Sequence, residues 1–196
     1  MPKFRIHIEK VQLEKKLQLM LERSKNMRPA YQEIGKLMWA SILKNFDVGG
    51  RPAWKPLAIS TLVGWVGSPK TPHRKTWFTK KGRITIATAR RITSRRPLMD
   101  TGALRRSVRA SATSNRALLQ AGGGAVPYAA VHQFGGKPHV IIPNKKKALY
   151  WEGAAHPVKR VNHPGVPARP YMVMQPEDRL AIRGVFKRHL LAEKAD

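Results

Sequence analysis

Apolar positions alternate strictly at the start of the chain and then change period. Phe4, Ile6 and Ile8 fall on one side of an extended segment, with Lys3, Arg5, His7 and Glu9 on the other. That is the pattern of a half-buried strand. Leu13, Leu17, Met20, Leu21 and Ser24 then follow helical spacing. Asn26–Pro29 interrupts, and Pro29 suits the first turn of a new helix, where its missing N–H would have no partner anyway. Ile34, Leu37, Met38, Ile42 and Phe46 form the apolar stripe of that second helix, which Gly49–Gly50 ends. The stripe predicts core packing rather than a membrane or calmodulin-like contact.

Regular pattern is lost over 63–97, where Gly64, Gly67, Pro69 and Pro72 break structure. After Leu104 the chain reads as strand. Ser107–Thr113 and Arg116–Ala121 flank Ser114–Asn115, a plausible hairpin turn. Gly122–Gly124 and Pro127 make a loop. Tyr128–Phe134, His139–Ile142 and Ala148–Trp151 read as further short strands, and Tyr171–Met174 as a last one. Pro176, Glu177 and Asp178 open a final helix, the acids lying at its positive end. Ile182, Val185, Phe186, His189 and Leu190 are its buried face. The expected class is α+β: N-terminal helices and a C-terminal helix packed on one antiparallel β-sheet, with long extended loops or arms. A length of 196 residues fits a single domain, with a basic loop insertion at about 63–97 and an extended arm at about 136–170.

Charge sharpens this picture. Lys and Arg number 38 against 11 acids, a net +27, and between Asp47 and Glu152 the sole acid is Asp100. Such a surface repels itself unless something anionic lies beside it. From Lys70 to Arg96 there are ten Lys or Arg, with Trp77 and Phe78 among them and Trp65 just before. Arg74, Lys75, Lys80, Lys81, Arg83, Arg90 and Arg91 are therefore candidate contacts, either to DNA by phosphate pairing and base stacking or to an acidic protein on which the segment orders. No cysteine is present, which removes disulfide scaffolds, thiol nucleophiles and thiolate zinc sites. With no apolar run near 18 residues and no signal-peptide pattern, no membrane partner is expected, and assembly in the cytoplasm is.

Candidate chemistry is thin. Asp100-Thr101-Gly102 matches the aspartic-protease tripeptide, but it occurs once and Arg95-Arg96-Pro97 stands where an apolar strand is needed. The simpler reading is that Asp100 or Thr101 caps a short helix over Gly102–Arg106. None of the seven histidines has an i, i+4 histidine partner on a helix, and carboxylates are lacking near His132 and His139. Gly122-Gly123-Gly124 and Gly135-Gly136 lack the frame of a phosphate cradle, and no serine sits in G-x-S-x-G. No enzyme activity, cofactor or metal is expected.

Four motifs in order carry more. They are GRPAWKPLAISTL at 50–62, PLMDTGALRRSV at 97–108, YAAVHQFGG at 128–136 and HPGVPARPYM at 163–172. Together the chain resembles the virion morphogenesis, or tail completion, family of Mu-like and P2-like tailed bacteriophages. Trp54, Pro56 and Leu57 look like its W-x-P-L turn. Asp100, Thr101, Gly102, Leu104 and Ser107 look like its L-x-x-T-G-x-L-x-x-S element. Tyr128, His132, Gln133, Phe134 and Gly135 look like its Y-A-x-x-H-Q-F-G element, and Pro167, Arg169 and Pro170 its P-A-R-P element. The resemblance implies a structural virion protein of the head–tail junction, forming a ring, commonly six-fold, between connector and tail tube or terminator proteins. The alternative is a basic protein that acts on DNA during packaging or morphogenesis.

Overall fold

The computed structural model describes residues 10–66, 77–150 and 156–191. The strand read over 3–9, Trp151, Arg74 and Lys75 lie outside the described residues. In chain order the elements are α1 Lys10–Ser24, α2 Arg28–Val48, α3 Ile59–Val66, α4 Ile86–Thr93, α5 Ala103–Ser107, β1 Arg109–Ala112, β2 Ala117–Gln120, α6 Ala129–Phe134, β3 His139–Ile141, β4 Val161–His163 and α7 Pro176–Leu191. The class is α+β, as the sequence predicts. Among the described residues, two two-stranded antiparallel sheets, β1–β2 and β3–β4, stand in place of the single sheet. Contacts divide the chain into two compact units, and the division falls inside α2, after Ile42.

The first unit takes Met1–Ile42, Val108–Gln120 and Met174–Asp196. The stripe of α2 packs as its spacing requires. Ala30, Ile34 and Met38 are buried with Val185 of α7, and Ala117 and Leu119 of β2 close over them beside Ile182 and Phe186. Tyr31 meets Phe186 edge to face, with ring centroids 5.9 Å apart. β1 and β2 pair from Arg109↔Gln120 to Ala112↔Ala117, across the turn the sequence places at Ser114–Asn115. α1 lies along α7, but its stripe is not core: no residue of α1 is buried, and Leu13, Leu17 and Leu21 are exposed. Spacing fixed the helix there; it could not say which side a neighbour would cover.

The start of α7 is secured from inside. Asp178, on the first turn, is buried, and its carboxylate Oδ2 accepts from Gln175 N at 2.8 Å, the reach-back half of a capping box. The same oxygen accepts from Ser41 Oγ of α2 at 2.8 Å. Glu177 beside it is exposed.

The second unit takes Leu43–Ser107 and Ala121–Val173. Its buried apolar residues include Phe46, Trp54, Val66, Leu104, Val126, Ala129 and Tyr171. Two sequence expectations fail here. Tyr128–Phe134 is not a strand: α6 occupies it. Its residues alternate in character, yet Ala129 and Ala130 favour helix. Tyr128 and His132 then meet as an i, i+4 pair, edge to face at 5.6 Å. Tyr171–Met174 is not a strand either, because side chains rather than a neighbouring strand take its amides, as set out below. Of Ala148–Trp151, only the bridge Leu149↔Val158 forms among the described residues. Within the stretch read as unpatterned, α4 is a two-turn helix capped by Thr85, whose hydroxyl accepts from Thr88 N at 3.3 Å.

Asp178→Ala removes a buried acceptor shared by two donors. We expect it to cost about 3 kcal/mol, and more than Glu177→Ala, whose side chain is exposed on the same turn. Urea unfolding of the two variants checks the difference.

Candidate functional site

Two of the four motif elements meet a third, the Pro167–Met172 segment, inside the second unit, and the remaining one lines the same cavity as Arg169. The meeting begins at the end of α2. Gly50 adopts φ +100°, and a Cβ there would lie 2.5 Å from the Trp54 ring, so only glycine lets the turn fold back under the indole. Trp54 N follows by bonding Gly49 O at 2.8 Å. The indole packs edge to face on Phe46 at 5.7 Å and donates Nε1–H to Pro170 O at 2.9 Å.

Arg169 is the centre of the arrangement. It is only 6% exposed. Its Nε donates to Lys55 O at 2.9 Å and its NH2 to Pro56 O at 3.1 Å, so one fork holds two successive carbonyls of the W-x-P-L turn. Its own backbone N donates to His132 O at 2.8 Å. Gln133 takes the next two residues. Its Oε1 accepts from Tyr171 N and from Met172 N, each at 3.0 Å, and its Nε2 donates to Met172 O at 3.4 Å. A single side-chain amide thus does for this segment what a partner strand would do.

Tyr171 is driven into the middle. It is 2% exposed, tilts against Phe46 at 5.2 Å, and donates its hydroxyl to Ala129 O at 3.2 Å. Tyr171 O accepts from Asn45 Nδ2 at 2.8 Å, and Asn45 Oδ1 accepts from Arg51 Nε at 2.8 Å. Burial pushes the phenol above its usual value. Asn45 is fully buried and escaped the sequence reading, since a lone amide beside an apolar stripe carries no periodic signal.

The remaining motif residues act as caps. Thr101 Oγ1 accepts from Ala103 N at 3.3 Å at the start of α5, so Thr101 and not Asp100 takes that role. Asp100 is exposed and pairs with Arg95 at 3.0 Å. Ser107 Oγ donates to Leu104 O at 2.7 Å and accepts from Gly122 N at 3.0 Å. Gly135 ends α6 at φ 83°. Phe134 stands apart, 80% exposed. Leu98 holds φ 64°, a left-handed conformation costly for a leucine.

A cavity of about 430 Å³ opens over this junction. Leu57, Leu98, Leu104, Tyr128, His132 and Arg169 are among the residues lining it, with Arg95, Arg96 and Asp100 also in the wall. It has no nucleophile–base pair. His132 Nδ1 is buried with no hydrogen-bond partner. Burial first, and the charge of Arg169 second, hold its imidazole below the ordinary value of 6.5. Among the described residues no three His, Asp or Glu gather as metal ligands. His139 stacks on His163 at 4.9 Å and not on His132, because β3 pairs with β4. Of the basic candidates, Lys80, Lys81, Arg83, Arg90 and Arg91 are exposed, and Arg91 lies over the Trp77 ring at 6.0 Å.

Two outcomes follow. Arg169→Lys keeps the charge but loses the fork, and should lower stability by about 2–3 kcal/mol in denaturant titration. His132 titrates below its unfolded value, so the unfolded chain takes up the proton first. Stability is whole above about pH 6.5 and falls as pH drops through that point toward the folded value. The melting temperature of the wild type should therefore fall more steeply from about pH 7.5 to 5.5 than that of His132→Gln.

The geometry is that of turns, caps and anchors around a rigid junction, and comparison with known proteins agrees. No solved structure matches the chain. No helix among the described residues is long and apolar enough to cross a membrane. The Mu-like prophage FluMu G protein 2 of Haemophilus influenzae is 26% identical over 162 residues, covering 83% of this chain and 77% of that protein. The model of the phage virion morphogenesis family matches residues 8–191. The chain belongs to the phage virion morphogenesis family, and its role is structural rather than enzymatic.

Proposed function

We propose that the chain is a head–tail junction subunit, a tail completion or neck protein that assembles as a six-membered ring and joins the tail to the head connector. It would be made in the host cytoplasm and reside in the virion, touching itself, the connector and the tail tube or terminator proteins. The observation that carries this reading is the division of labour in the second unit. The family motifs are spent largely on internal hydrogen bonds, while the described parts of the Gly136–Val166 segment pair with one another and leave β3 exposed throughout. A ring subunit needs such a split, a rigid body with segments free to make heterologous contacts.

A second reading has one observation in its favour. Arg91 over Trp77, with exposed Lys80, Lys81, Arg83 and Arg90 nearby in sequence, is a plausible surface for single-stranded nucleic acid. On that reading the charge does the main work.

Light scattering separates the two. The ring reading predicts a species of six times 22.1 kDa, formed alone or on purified tails. A monomer indifferent to tails, yet held by DNA at physiological salt with a steep salt slope, would favour the nucleic-acid reading.

A further inference from the structure

Among its described residues, the ribbon between α6 and the Pro167–Met172 segment buries no side chain fully and so has no core of its own. Its ladder runs from Gly136↔Val166 through His139↔His163 to Ile141↔Val161, and resumes at Leu149↔Val158. Gly165 makes the base of the ladder possible: at φ +88° it packs so closely on Gly136 O that a Cβ would clash. Every residue of β3 is exposed. Successive side chains point to opposite faces, so Val140 and Ile142 share one face and Ile141 lies on the other. Their exposures are 51%, 68% and 37%. Tyr150, farther along, is 68% exposed, and Phe134, just before the ribbon, is 80% exposed. Two strands alone are marginal in water, and their apolar side chains are normally laid on something.

Charge says what that something is. Between Phe134 and Val166 stand Lys137, Lys145, Lys146, Lys147, Lys159 and Arg160, against Glu152 as the sole acid. A second copy offers the same sign, since the chain has 38 bases and 11 acids. Nucleic acid would satisfy the lysines, but its phosphate-lined surface rewards exposed Val140 and Ile142 less than an apolar protein groove does. We infer that the β3–β4 ribbon, with Phe134 at its base, is a docking surface for a partner protein whose apolar groove is rimmed by acidic residues. The inference rests on the assembly role proposed above and names the partner's chemistry. Apolar side chains supply the hold, and the lysines set approach and orientation.

The test uses the full-length protein with three probes: tails and heads, each purified from particles made without this chain, and a DNA duplex of about 30 base pairs. Two variants are compared with the wild type. One carries Val140→Ser and Ile142→Ser; the other carries Lys145→Glu, Lys146→Glu and Lys147→Glu. All substituted side chains are exposed, and matched melting temperatures confirm folding. The wild type should bind heads or tails. The serine variant should bind them about 10-fold or more weakly, with its DNA affinity unchanged. The glutamate variant should bind particles more weakly and with a shallower salt dependence. Equal particle binding by wild type and serine variant overturns the ribbon assignment and leaves the assembly role standing. Loss of self-association with particle binding intact would make the occupant a second copy, against the inference. Binding of the wild type to DNA alone overturns the assembly role and the inference together.

Discussion

A guanidinium taken out of water must bring its hydrogen-bond partners with it, and Arg169 meets that demand with backbone rather than with acid. Its fork closes on Lys55 O and Pro56 O, and its amide on His132 O. Two stretches distant in sequence are thereby fixed to one residue. Remove the fork and the turn after α2 loses its reason to lie where it does. Trp54 would then lose its bond to Pro170 O and its edge-to-face contact with Phe46. An acid beside Arg169 would have neutralised the charge and placed nothing; two main-chain carbonyls place a turn. This is why the element carries arginine with prolines on either side at Pro167 and Pro170, which hold the strap extended.

Gln133 completes the logic. An extended segment normally finds its partners in a sheet, and here a side-chain amide from α6 serves both Tyr171 N and Met172 N. Sheet is therefore spared at the junction and used instead where the chain leaves it, in the ribbon from Gly136 to Val166. The anchored Pro167–Met172 segment and the ribbon come from the same contiguous stretch, 128–172, with Gly135 ending α6 just before the ribbon. A structural subunit gains from this economy. Nothing in the junction has to move or react, and the surface left over is available for assembly.

How much of this the sequence shows depends on period. Ile34 and Met38 announce a buried helix face because several residues repeat the same signal, and the packing obeys it. Leu13, Leu17 and Leu21 repeat as clearly but are exposed, since periodicity fixes local structure and not the neighbour. Tyr128–Phe134 misled because seven residues are too few to separate alternation from a helix with small residues on one side. α4 was hidden by its arginines: an amphipathic two-turn helix with four charged or hydroxyl residues reads as loop. The motifs located the junction, but not Asn45 or the pairing of Arg169 with carbonyls, which depend on contacts across more than 100 residues. Legibility ended where long-range hydrogen bonds began.

Hydrogen exchange of the full chain, free and then on purified tails, tests the central claim most directly. The account predicts that the amides of Arg169, Tyr171 and Met172 are among the slowest in the second unit in both states, while amides on the open edges of the ribbon slow only on tails. Fast exchange at Arg169–Met172 in the free protein, or a ribbon unchanged by tails, would contradict it.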